Sequence, residues 1–236
     1  MGKTVEFRGC DSLVYAEVLT DDANGITFGA VAPLAPVAEI AKTVSSNSET
    51  HYYDNVGQII IRSEGDDEIT LTVPVLPLDI LAVVTGKTYD TNTGAFIDGE
   101  STEKYYAIGY RLRLTDGTYR YVWRLKGAFS QIPDATSATE NDGTDTNNTQ
   151  ITFTGIYTEH EFAKGVYDGS NWSPAGVKGI VVDARYGLAD VSNFFEAIQT
   201  PDSIQVNPEP HTDIPVTGVS VTPTAGSVTV GQTLTL

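Results

Sequence analysis

Two neighbouring runs of strict alternation constrain this chain more than any other feature. Across 118–126, Tyr119, Tyr121, Trp123 and Leu125 fall on one side, and Arg120, Val122, Arg124 and Lys126 on the other. The run 104–114 repeats the pattern, with Tyr106, Ile108, Tyr110, Leu112 and Leu114 set against Arg111 and Arg113. Asp116-Gly117 stands between them, a dipeptide suited to the left-handed backbone of a tight turn, so the spacing predicts a β-hairpin. A two-stranded hairpin is marginal alone in water and needs further strands or a helix as cover.

The rest of the chain supplies it. Strands are predicted over 12–20, 26–32, 35–44, 57–63, 67–73, 150–159 and 178–185, with a turn at Asn24-Gly25. Ile69, Leu71 and Val73 alternate with Thr70 and Thr72, and Ile151, Phe153 and Tyr157 with Thr152, Thr154 and Thr158. Many short strands at close spacing predict a sandwich or barrel. Apolar residues at 40% against 19% charged ones are enough for a packed body. Two short helices are predicted: Leu76 to Val84, opened by Pro74 and Pro77 and closed by Gly86, and Asp190 to Gln199, which stops before Pro201. The polar stretches 45–56 and 134–149 read as long loops.

Charge narrows the functional classes. The 14 Lys and Arg face 31 Asp and Glu, a formal net charge of -17, which argues against a protein that grips nucleic acid by its phosphates. Cys10 is the single cysteine, so neither an internal disulfide nor a thiolate metal cage can form. His51, His160 and His211 lack ligand spacing, and Glu159-His160-Glu161 does not match H-E-x-x-H. Asp142, Asp145 and Asn147 lack the bidentate glutamate of a calcium loop. No nucleophile elbow, P-loop or dinucleotide fingerprint occurs, so no catalytic, cofactor-binding or metal-binding residue is assigned and the chain does not read as an enzyme. The opening MGKTVEFRGCDSLVYAEV holds no apolar signal core and no stretch has membrane-spanning length, so a soluble chain made in a cytoplasm is expected, with no membrane partner.

Two family likenesses add to this. After a proline-rich linker over 201–215, the segment 216–236 carries Val216, Val219, Val221, Pro223, Val228, Val230, Gly231, Leu234 and Leu236. It resembles the opening strands of the group 2 bacterial immunoglobulin-like domain, of which about the first quarter is present. Residues 1–200 resemble the major tail protein of long-tailed bacteriophages. The pattern is met first as Val5, Phe7, Gly9, Tyr15, Ala16 and Val18. It continues through APLAPVAEIAKTVSSNSETHYYDN, ITLTVPVLPLDILAVVTG, the hairpin YYAIGYRLRLTDGTYRYVWRLKGAFS and ITFTGIYT.

The second resemblance implies a mainly β fold. It would be a two-sheet β sandwich or barrel of the phage tail-tube type, with one or two short flanking helices and an inner sheet completed by neighbouring subunits. It also implies hexameric rings stacked into a tube, tape measure and other tail proteins as partners, phage DNA passing through the lumen without specific binding, and a place in the virion. On that reading loop 45–56 is the ring-stacking candidate through Glu49, His51, Tyr52, Tyr53 and Asp54, since tyrosine suits interfaces. Arg111, Arg113, Arg120 and Arg124 are candidates for charge pairing within or between subunits. The competing reading is a bacterial surface adhesin or carbohydrate-binding sandwich, with Tyr52, Tyr53 and Trp172 as a sugar platform.

Overall fold

The computed structural model describes residues 4–54, 56–130 and 148–208. The expected loop 134–149 (save its last two residues), with Asp142, Asp145 and Asn147, lies outside them, as do most of the linker and the immunoglobulin-like segment 216–236. The described part is mainly β, at 55% strand against 6% helix, with antiparallel sheets consistent with a β sandwich. In chain order the strands are β1 (Phe7–Asp22), β2 (Gly25–Phe28), β3 (Ala32–Pro33), β4 (Glu39–Tyr53) and β5 (Val56–Val73). Helix α1 (Leu78–Thr85) follows, then β6 (Thr88–Asp90), β7 (Ala95–Ile97), β8 (Tyr106–Leu114), β9 (Tyr119–Phe129) and β10 (Thr149–Gly155). The series ends with β11 (Phe162–Tyr167), β12 (Trp172–Ala175), β13 (Gly179–Asp183) and a 3-10 turn at Ala184–Tyr186.

The central sheet runs β2-β1-β8-β9-β10-β5-β4, with β13 added to β9 and β3 to β1. Strand β9 changes partner along its length. Residues 120–124 pair with β13, whereas 127–129 pair with β10. Each face of the β8–β9 hairpin is therefore buried. Leu13, Ile69, Leu71, Val73, Ile108, Tyr110, Val122, Ile151 and Phe153 form the larger core on one side, capped by Leu76 and Val84 around α1. Ala107, Trp123 and Leu125 face the other way, into a second core built with Phe162 and Phe194. The sheet curls far enough that the Cys10 thiol of β1 lies near Glu39 and Ile40 of β4, although these two strands share no ladder.

The predicted hairpin stands where the alternation put it, with Gly117 in the left-handed region at φ 90°. Helix α1 also matches its signals: Pro77 precedes it, Asp79 lies in its first turn, and Gly86 closes it at φ 67°.

Three expectations change. The first is that most of 45–56 is strand and not loop, with β4 reaching Tyr53 and β5 starting at Val56. Residues 39–53 pair through Glu49↔Ile61, Thr50↔Ile60 and His51↔Ile59, and the turn contains Asp54 at φ 51°. The segment hides its nature because both faces are wet, so no alternation of burial is written into it. The second is that 57–63 and 67–73 form one strand; the intervening Glu64-Gly65-Asp66 carries a β-bulge at Gly65 and Asp66. The third concerns 190–199, which is a series of turns and not a helix. The Asp190 carboxylate accepts from the amide and hydroxyl of Ser192, favouring a local turn, and adjacent Phe194 and Phe195 both pack onto Tyr121. Beyond it the chain folds back, with Ala189 bridged to Val206, and Phe194 lies buried against Trp123, whose indole N–H donates to the Phe194 carbonyl at 3.0 Å.

Candidate functional site

The site begins with a strand that outlives its neighbour. β10 pairs with β5 only over Asp67–Val73, but β5 continues down to Val56 with β4 as its sole ladder partner among the described residues. About ten residues of two-stranded ribbon, roughly 30 Å at 3.3 Å per residue, thus stand clear of the body. An isolated two-stranded ribbon is marginal in water, and among the described residues no further strand forms a ladder on either of its edges. Its apolar side chains are open as well: Ile59 is 48% exposed, Ile60 59%, Ile61 54% and Val56 60%. Successive isoleucines point to opposite faces, so both faces are apolar in part.

The stacking candidates all fall on this ribbon. Glu49 is exposed opposite Ile61, His51 is half-buried opposite Ile59, and Tyr52 is 69% exposed near the tip. Tyr53 ends β4 opposite Val56, and Asp54 makes the turn. The isoleucine triplet across from them was the stronger signal: three consecutive β-branched residues in a stretch too polar on its other strand to be core.

The four arginines divide two and two. Arg111 and Arg113 lie opposite Tyr121 and Tyr119, whereas Arg120 lies opposite Leu112 and Arg124 opposite Ile108, on the face of the larger core. Arg111 pairs with Asp11 and spreads its guanidinium 4.3 Å from the Tyr119 ring centre. Arg120 meets Asp183 at 2.9 Å, and Arg185 joins the same carboxylate at 2.6 Å. These hydrogen bonds, with Arg185 first, hold the Asp183 carboxyl far below its ordinary range. Arg113 is exposed and meets no carboxylate among the described residues.

Arg124 belongs to a buried ionic group at the foot of the ribbon. Asp67, 1% exposed, meets Lys42 at 2.9 Å, Arg124 at 3.1 Å and Lys178 at 3.3 Å. Burial alone would raise the Asp67 carboxyl, but the hydrogen bonds and charges of Lys42, Arg124 and Lys178 outweigh it and leave it lowered. Lys178 is buried too, 4.9 Å from the Tyr157 ring centre, and donates to Glu64 at 2.9 Å and to the Gly65 carbonyl at 2.5 Å. Burial would pull its ammonium down, but Glu64 and Asp67 hold it above its usual value.

A separate groove of about 490 Å³ lies between β1, α1 and residues 86–106, lined by Tyr15, Glu17, Asp79, Lys87, Tyr89 and Lys104 among others. Its two lysines are paired locally, Lys104 with Glu17 at 2.9 Å and Lys87 with Asp98. The Tyr106 hydroxyl at its floor donates to the Val83 carbonyl, and burial pushes its pKa up to about 12, which removes it as a base. The residues of the competing sugar platform lie on different hairpins. Tyr52 sits on the ribbon, while Trp172 on β12 contacts Tyr167 across its own hairpin at 4.9 Å. Among the described residues no helix is long and apolar enough to cross a membrane, and no three His, Cys, Asp or Glu side chains gather as metal ligands. Compared with known proteins, the chain matches no family model and no curated sequence.

Proposed function

We propose that this chain is a structural virion protein that polymerises as stacked hexameric rings to form a phage tail tube, the conduit through which DNA leaves. The observation that carries the reading is the β4–β5 ribbon, whose edges meet no further strand among the described residues and whose exposed isoleucines ask for cover by another copy. A strand edge is most readily completed by another strand, and a ring of identical subunits supplies one at every junction. The order of the sequence elements and the mainly β body support the tail-tube assignment, with tape measure and other tail proteins as its neighbours. An acidic wall would repel DNA phosphates and keep passage free of sticking.

The test is assembly of the purified chain, followed by negative-stain microscopy and light scattering. Rings or hollow tubes are expected for the native sequence. Ile59→Lys with Ile61→Lys should leave folded monomers with the native circular-dichroism spectrum, because both side chains are about half exposed and outside the buried core. Native protein that stays monomeric at millimolar concentration overturns the proposal.

A further inference from the structure

We infer that Lys178 is a latch that fixes the angle at which the β4–β5 ribbon leaves the body. The ribbon parts from the sheet at a bulge: Val44 pairs with Asp67 and Ser46 with Glu64, so Gly65 and Asp66 together oppose the single residue Ser45. Bulges bend strands and increase their twist, and among the described residues no third strand runs along the ribbon beyond this one to hold its direction. Lys178 fills that gap from a different part of the chain. Its ammonium has three donors and three acceptors distributed across the bend: Glu64 on the ribbon side, the Gly65 carbonyl in the bulge, and Asp67 on the body side.

The geometry makes the latch specific. Adding one residue to β5 but none to β4 flips the parity, bringing Glu64 onto the same face as Asp67, where a single ammonium reaches both. Lys178 is itself anchored. It is 6% exposed, it lies beside the Tyr157 ring, and its carbonyl accepts from the Leu125 amide at 3.0 Å on β9. A short buried anchor that grips both sides of a bend restrains direction far more than a surface ion pair would. The ribbon is the assembly element of the function proposed above, and the latch presets its orientation before any partner arrives.

The experiment measures the distance between spin labels at Ser48→Cys on the ribbon and Gln150→Cys on β10, in a Cys10→Ser background, about 30 Å apart along the strand direction. Labelled full-length chain is diluted with unlabelled chain so that only distances within one molecule are read. The native latch should give one narrow distance peak. Lys178→Met should lose that peak to a broad distribution, and Glu64→Gln, which touches only a half-exposed carboxylate and leaves the core intact, should broaden it to a lesser degree. Unchanged narrow peaks in both variants overturn the latch. Light scattering on the same samples reports assembly separately: broadened distances in a chain that never assembles keep the latch and remove the tail-tube reading.

Discussion

At the scale of single residues, the ionic group around Asp67 is the most exposed to test. One buried carboxylate holds three cations, so Asp67→Asn leaves Lys42, Arg124 and Lys178 with only Glu64 among them. Removing one partner of a buried pair costs about 3–5 kcal/mol, and the lower end is expected here because Lys42 reaches solvent. The sign with pH follows from the lowered carboxyl: its contribution is present above the unfolded value of about 3.9 and disappears as pH falls through the folded one. Urea unfolding at pH 7 should therefore separate Asp67→Asn widely from the native chain, and at pH 3 the gap should narrow. An equal gap at both values would show that the cluster adds no pH-dependent stability. None of these pairings was legible in the sequence, because Lys42, Asp67, Arg124 and Lys178 are far apart along it. Arg124 was singled out by its place in an alternating run, but an alternating run shows faces and not partners.

Elements were readable in proportion to how asymmetrically they are buried. The β8–β9 hairpin and α1 each combine a patterned apolar face with the right turn or cap residues, and both stand where those signals put them. The outer half of β4 has no dry face, and its sequence reads as loop. The hairpins β6–β7 and β11–β12 are short and were missed for the same reason. Only the turn residues Asp90 and Asp168 mark them, each accepting amides two residues on. Strand β9 carries a demand that its sequence does show. Gly127 sits where it passes from β13 to β10, and a Cβ there would meet the Phe153 ring and the Thr154 carbonyl at 2.4 Å. Gly127→Ala should therefore destabilise by about 1–3 kcal/mol, since an overpacked core must shift backbone or ring. Thermal unfolding checks this, and a variant as stable as the native chain would show that β9 and β10 have slack between them.

For the whole molecule the dominant quantity is a net charge of -17 on every copy. Bringing such copies together costs repulsion that salt screens over about 8 Å at physiological strength. Assembly by open strand edges and apolar ribbon faces should therefore grow stronger as sodium chloride rises from 20 to about 500 mM. Light scattering against salt reads it, and assembly that dissolves in salt would mean that charge pairs and not ribbons join the copies. The charge total was readable at once, whereas the way the sheet curls was not, because curvature depends on pairings between distant segments. That curl has a last consequence. Where β1 comes round to β4, the edges meet through a thiol and the connecting segment around 34–38, with no run of backbone pairs between them. Like a sleeve left unsewn along one line, the body is held closed there by single contacts and not by a ladder.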